Sequence, residues 1–591
     1  MSYSGHYAVI GPPGTGKTTF LARQVRRIVE TTGSTRVLVS SLTRTAASEI
    51  GGRDLPLPRG SVGTLHAHAF RALDRPEVFA GDWITAWNAR RPEFAISGGT
   101  SKVREDGELA AEPIADAVDG GERPGDRFLS SWDLVRARRT SLASLAENPG
   151  ARVFGRADVI ARDLVRFVDD FEAWKDAEGL YDFVDLISAA RGVPPPLDPE
   201  VLVVDEVQDL SSLEWDLVRT WADGRTLFAV GDPWQSLYAW RGADPGLFDE
   251  FPEDRLRILS RSWRVPRKIV ETGLRWMRGR SNVRKEIRYL PRVDERGVPV
   301  DGEIEFDPAT TPSRVSAIVD RVEESIRDGR TSMIQATCGY LLGPVVSALR
   351  SRGIPFSNPW RASRGDWNPI STRGVSTVER FAALVVPAFE RRLWSWREIA
   401  RFLDLFVSRD VLRHGSKETI GAKASDRFGD RPVAAAEIRG LFRDDSIVDL
   451  GEAMIRRDDP REGVRAAHDW TIPRLSRRTV GTSIVFAMAI LERFGLRGLR
   501  DRPKVFVGTV HSFKGAEADD VHLFSELSSS AVNSIRTGRD VDDTVAAVHR
   551  TFYVGITRAR SRVFVHGTSS RKDAAIFDVL RKLRNAAIPV A

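Results

Sequence analysis

Cysteine occurs once in the 591 residues, as Cys338, and the nine histidines are scattered. A single cysteine excludes an internal disulfide, and the histidine spacing offers no zinc or iron–sulfur ligand set, so a reducing compartment and no structural metal are expected. No apolar run approaches bilayer length, and the opening "MSYSGHYAVIGPPG" has no signal-type apolar core. A cytoplasmic chain without a membrane partner is therefore expected. Internal repeats and a low-complexity tail are also missing. Neither sign of charge dominates: 88 basic against 81 acidic residues leave +7, with arginine far outnumbering lysine. That balance leans only modestly toward phosphate-bearing partners, and it is equally the mark of a GC-rich genome. Hydrophobic content of 42% and charged content of 29% are those of an ordinary globular protein. The length exceeds what one hydrophobic core serves.

What is present begins with alternation. "YAVI", a glycine-rich turn, a helical stripe of Phe20, Leu21, Val25, Ile28 and Val29, and then "RVLVS" form the start of an α/β unit with a parallel sheet. From about Arg71 the pattern becomes helical around Trp83, Trp87, Trp132 and Trp174, interrupted by a Gly- and acid-rich stretch within 96–126. Strand signals resume at "VLVVDE", "LFAVGD", "LRILS" and "SMIQAT". A second helical region contains "RRLWSWREIARFLDLFV", after which "VFVGTVHS" and "RVFVHGT" read as strands. The expected architecture is α/β, with two parallel-sheet cores each carrying a largely helical insertion. The first core takes 1–70 and 191–260 with an insertion at 71–190; the second takes 261–360 and 500–591 with an insertion at 361–499. The final stretch "DAAIFDVLRKLRNAAIPV" is expected as a helix covering the last sheet.

"GPPGTGKTT" fits G-x-x-x-x-G-K-[ST] between an expected strand and an expected helix. Its residues are Gly11, Pro12, Pro13, Gly14, Thr15, Gly16, Lys17, Thr18 and Thr19. The glycines let backbone N–H groups wrap phosphate oxygens, Lys17 supplies the counter-charge and Thr18 can hold Mg²⁺. "VLVVDEVQDLS" ends an apolar strand in Asp205 and Glu206, suited to hold the metal and to orient or deprotonate a water. An acidic pair at a strand end is by itself a common solvated turn. Joined to a phosphate loop it marks an NTPase.

Taken in order after that loop, "VVDEVQD", "GDPWQSLYAWRGAD", "GTVHSFKGAEADDV" and "FYVGITRAR" resemble the motifs of superfamily 1 DNA helicases of the UvrD/Rep type. "SSLTRTAASEI", "GTLHAHAF", "GLYDFVDLI", "LSRSWRVPRKIV" and "SALRSRGIPF" agree in position and pattern. The resemblance implies two RecA-like domains and ATP with Mg²⁺ in the cleft between them. It implies 3′ to 5′ movement on single-stranded DNA and at single-strand/duplex junctions. It assigns Gln235 to the γ-phosphate, Arg264 and Arg558 to the triphosphate from the opposite wall, Trp263 to the base, and Gly515 and Glu517 to the nucleotide, with Glu517 near the ribose. It places Thr43, His66, Tyr238, Trp240, Arg241 and His511 on the DNA path, where aromatic rings grip bases irrespective of sequence, at roughly 1–3 kcal/mol per base.

Three features depart from the family pattern. No glutamine stands among the ten residues before Gly11; Thr19 replaces a common arginine; Leu42 and Leu65 replace phenylalanines of the DNA path. How adenine is recognised without that glutamine is left open. Two readings of function also stay open: a helicase or translocase, and a DNA-stimulated ATPase that does not unwind but displaces proteins or signals within a larger complex. A helicase–nuclease fusion is disfavoured, because about thirty residues follow "GITRAR" and no nuclease-type metal cluster is visible elsewhere.

Overall fold

The computed structural model describes residues 5–41, 55–97, 102–103, 109–110, 123–142, 152–153, 156–278, 285–361, 364–370, 375–475, 480–529, 531–532 and 541–569. Leu42, Thr43, most of the Gly- and acid-rich stretch and the expected C-terminal helix lie outside these residues.

Two six-stranded sheets, parallel throughout, organise the chain. The first contains β1 (His6–Ile10), β2 (Val37–Ser41), β3 (Val62–Thr64), β4 (Val201–Val204), β5 (Thr226–Gly231) and β6 (Leu256–Ile258), in the order β6-β1-β5-β4-β2-β3. Its inner strands β2, β4 and β5 are buried on both faces, as a parallel sheet covered by helices requires. Ala8, Ile10, Leu202, Val204, Leu227 and Ala229 face one core, while Val9, Val201, Val203 and Val230 face another. This is the period of two that a strand imposes. Helix α1 (Lys17–Thr32) covers the second face with Leu21, Val25 and Ile28. It stops at Gly33, whose φ of 68° makes the left-handed cap that glycine adopts without steric cost.

The second sheet contains β7 (Glu303–Asp307), β8 (Ser332–Ala336), β9 (Phe356–Ser357), β10 (Val505–Thr509), β11 (Ala518–Phe524) and β12 (Ala559–His566), in the order β7-β12-β11-β8-β10-β9. The expected α/β class with two parallel sheets and many helices is what the structure has.

The helical regions between strands differ in how they are anchored. Between β3 and β4, Phe79, Trp87, Phe94, Phe128, Phe167, Phe171 and Trp174 form a cluster of their own. Helix α2 (Leu65–Ala72) and helix α3 (Phe183–Ala190) instead pack on the first sheet, burying Leu65, Phe70, Leu186 and Ile187 there. The chain thus returns to the first core several residues before 190, because "FVDLISAA" presents one apolar stripe and Asp182 caps it by accepting from the Val184 and Asp185 N–H groups. Between β9 and β10, Trp394, Ile399, Phe402, Val448 and Met454 join one continuous core with Ile334, Phe356 and Val505 of the sheet.

Candidate active site and strand interface

The glycine-rich turn leaves β1 at Ile10 and enters α1 at Lys17. Gly14 and Gly16 have φ of 75° and 80°, which side-chain-bearing residues rarely adopt. A Cβ on Gly14 would lie 2.6 Å from Ser262 Oγ and from Arg264 Cβ, so glycine is also needed for close approach. The turn is buttressed from the segment following β6. Ser262 Oγ and Tyr289 Oη donate to Pro13 O at 2.9 and 2.8 Å, and the Trp263 N–H donates to Gly14 O at 2.8 Å. Thr15 folds inward, its Oγ1 donating to Pro12 O. The first turn of α1 carries no side-chain cap. Lys17 Nζ donates to Gly11 O at 2.7 Å, spanning the loop. Uncapped N–H groups of a long helix, with a lysine over them, fit phosphate oxygens.

At the end of β4, Asp205 is buried and its N–H donates to Ser40 O at 2.8 Å. Burial, and then the neighbouring Glu206 charge, push its carboxyl up to about 7. Among the described residues no group of three or more His, Cys, Asp or Glu forms an all-protein metal cage. Glu206 adopts φ 58° and is bound by Gln208. Despite burial, Lys514 first and Lys17 next hold its carboxylate down at about 2.

Residues from the second sheet complete the site. Arg558 is 1% exposed, and its Nη2 donates to Gln235 Oε1 at 2.7 Å. Its other hydrogen bonds go to the Val554 and Ala516 carbonyls and the Thr557 hydroxyl. Gln235 in turn donates to Asp232 Oδ2 at 2.7 Å. Burial and the nearby Arg264 push the Arg558 guanidinium down to about 9. Arg264 bonds Glu517, which also receives Arg560. Gly515, φ 86°, forms the turn just before them. Trp263 is 73% exposed and stands beside Gly16, whose added Cβ would lie 3.8 Å from its ring.

The loop after β5 links this cleft to a second surface. Trp240 is 45% exposed, while Tyr238 is 3% exposed, enclosed by Trp240, His511 and Lys514. The stacking surface expected of Tyr238 is therefore covered in this conformation, since its neighbours occupy the space around the ring. Arg241 donates to Glu214 Oε1 at 2.6 Å, and His66 Nδ1 lies 3.9 Å from the same oxygen. Burial lowers His66 to about 4. His511 Nε2 sits 3.3 Å from Leu237 O. Leu65 is core, not strand surface.

Sequence reasoning did not single out Lys514, Asp209, Glu214 or Arg550. Lys514 bonds Asp209 and lies 3.2 Å from Glu206; buried Arg550 donates to Ser236 O at 2.9 Å. Lys514 and Asp209 stand inside the quoted "HSFKGAEAD" and "VVDEVQD", so a basic residue in one motif and a spare acid in another were the available signal.

The fold and site define a P-loop nucleotide-binding protein of two RecA-like lobes. Residues 1–255 match the UvrD/REP helicase N-terminal domain and residues 479–570 the UvrD-like helicase C-terminal domain, together more than half of the chain. The chain belongs to the UvrD/Rep helicase family. It is 23% identical to the ATP-dependent DNA helicase UvrD1 of Mycobacterium leprae (strain TN), over 95% of this chain and 81% of that protein. It is 25% identical to the ATP-dependent DNA helicase srs2 of Schizosaccharomyces pombe (strain 972 / ATCC 24843), over 45% of this chain and 32% of that one. With YjcD of Bacillus subtilis (strain 168) the identity is 21% over 63% of this chain and 49% of YjcD. The chain spans about half the length, or less, of several relatives it matches. Among the described residues no helix is long and apolar enough to cross a membrane.

Proposed function

We propose that this chain is an ATP-driven motor on single-stranded DNA, stepping 3′ to 5′ and opening single-strand/duplex junctions. The observation carrying the proposal is Arg558: a guanidinium 1% exposed, with no carboxylate within ion-pair distance among the described residues, bonded across the two lobes to Gln235. A buried cation without an ion-pair partner is costly, and an anion entering the cleft would offset that cost. In this reading Lys17 and the loop N–H groups hold the β/γ-phosphates. Arg264 and Arg558 draw the opposite wall toward them, and Glu206 orients a water and accepts its proton. Thr18 and Asp205 would hold Mg²⁺, which when bound supplies charge neutralisation at the phosphates. Gln235 lies five residues from Trp240 on one loop, so closure of the nucleotide cleft moves the exposed ring that grips a base.

The test is hydrolysis with and without single-stranded DNA, RNA and duplex, followed by strand displacement from 3′- and 5′-tailed duplexes. Stimulation by single-stranded DNA together with opening of 3′-tailed substrates supports the reading. Stimulation without displacement at either polarity selects the non-unwinding ATPase; no stimulation by DNA overturns both.

A further inference from the structure

Four aromatic side chains are largely exposed among the described residues: Trp240, Trp263, Tyr340 and Phe428. Trp263 stands at the nucleotide turn, and Phe428 lies between β9 and β10 against Arg427 and Arg431. Trp240 is the ring offered to a strand by the first lobe. Tyr340, 51% exposed, belongs to the second lobe and has no place in the nucleotide cleft.

A single exposed tyrosine is ordinary, but two features set this one apart. The first is location. Tyr340 lies in the one-turn helix Gly339–Leu342 at the C-terminal end of β8; Trp360 lies in the turn after β9, and His511 in the turn after β10. These three strands are adjacent and parallel, so all three turns share one edge of the sheet. His511 contacts the Tyr238–Trp240 loop from that edge, which makes the edge continuous with the first lobe's exposed ring. The second is fixation. The Ser529 N–H donates to Tyr340 Oη at 3.1 Å, and the Ser529 hydroxyl lies 3.3 Å from it. Thr337 Oγ1 donates to Glu526 O at 2.7 Å and ties the same two loops together. The ring is held by its polar tip at the surface, so little ordering entropy remains to be lost when a flat partner lands on it.

A two-lobe motor needs a grip on each lobe, so that one holds while the other moves. With Tyr238 covered and His511 engaged with Leu237, Tyr340 is, among the described residues, the largely exposed ring at this edge of the second sheet. We infer that Tyr340 is the second lobe's base-stacking residue on single-stranded DNA, the counterpart of Trp240 on the first. This rests on the proposed strand-binding function.

The experiment compares affinity for oligo-dT with affinity for an abasic strand of equal length, in Tyr340→Ala, Tyr340→Phe and Trp240→Ala. Tyr340→Ala is expected to weaken oligo-dT binding about tenfold while leaving abasic-strand binding within about threefold, the difference being the stacked base. Tyr340→Phe, which keeps the ring and loses the hydroxyl tie, should bind oligo-dT within about threefold of the parent. Loss of both strand affinities in Tyr340→Ala would mean a structural role and overturn the inference. If Trp240→Ala weakens oligo-dT and Tyr340→Ala does not, this inference fails while the motor reading stands. Failure of the unaltered protein to bind either strand would sink the motor reading itself.

Discussion

Lys514 reaches from the second lobe to lie 3.2 Å from the Glu206 carboxylate of the first, and it also bonds Asp209. It is the largest favourable influence on Glu206, whose carboxyl it helps hold at about 2 against burial. Replacing it with methionine keeps much of the volume and removes the charge. A water-activating carboxylate must be ionised to accept a proton, so its loss of activity on acidification tracks its own pKa. In Lys514→Met that pKa rises, and at saturating Mg²⁺, which would keep the Asp205 carboxylate ionised, the acid limb of the kcat–pH profile moves upward by one unit or more, about tenfold in proton concentration. Profiles of parent and variant that superimpose below pH 7 would contradict this.

Gln235 carries both the Arg558 contact and the Asp232 contact, at 2.7 Å each. In Gln235→Ala, Arg558 loses its side-chain acceptor on the first lobe, so the lobes lose a direct link between cleft and strand loop. DNA stimulation of hydrolysis is expected to fall about tenfold, a coupling loss of the usual size for a side-chain link. Nucleotide affinity, which the proposed function assigns to Lys17 and the turn, should change less. Rates with and without oligonucleotide, and nucleotide titration, check both halves; retained stimulation would show that coupling runs elsewhere.

Strand–turn–helix order was legible because apolar runs such as "YAVI" and "VLVV" admit few other placements, and the glycine-rich turn is a local object fixed by φ. The cleft was legible only as a set of motifs. Nothing local distinguishes Lys514, which bridges to Glu206, from a solvated lysine, because the partner lies some three hundred residues away in sequence. Tyr238 and Trp240 are two residues apart in one loop, yet one is 3% and the other 45% exposed. Composition cannot separate them, because their burial is decided by His511 and Lys514 arriving from the other sheet.

His522 and His566 lie on neighbouring strands β11 and β12, with Nδ1 of the first 3.0 Å from Nε2 of the second. Both rings are fully buried, and the outer nitrogens, His522 Nε2 and His566 Nδ1, have no hydrogen-bond partner. Burial lowers His522 to about 3 and His566 well below its ordinary value. Folded-state values below the unfolded 6.5 mean that the fold favours the neutral rings. Their contribution is complete above pH 6.5 and is lost as pH falls from there toward 3. Hydrogen exchange of β11 and β12 amides should therefore accelerate on acidification through that window, beyond the intrinsic pH trend. Replacing both rings, as in His522→Phe with His566→Phe, removes two unsatisfied nitrogens and should flatten the acid response while costing little at pH 8. An acid response unchanged in the double variant would place its origin elsewhere.

Base choice in the nucleotide cleft depends on what surrounds Trp263. The ring is 73% exposed beside Gly16 and supplies a flat apolar face, and none of the ten residues before Gly11 is glutamine. A site that hydrogen-bonds a base edge rejects the wrong base by roughly 10⁴ or more, because its buried polar groups would be left unpaired; an apolar face discriminates only about 10- to 100-fold. If Lys17 meets the phosphates and Glu517 the ribose, as the proposed function and the family resemblance imply, those contacts are shared by all four ribonucleotides. GTP and CTP are therefore expected to support DNA-stimulated hydrolysis with kcat/KM within roughly a hundredfold of ATP. In Trp263→Ala all four should lose kcat/KM together, since stacking is common to every base, with purines losing more than pyrimidines because they cover more of the ring. Steady-state constants for the four nucleotides on parent and variant decide the matter. An ATP preference above about 10⁴ that survives Trp263→Ala would mean that a polar group outside this ring reads the adenine edge.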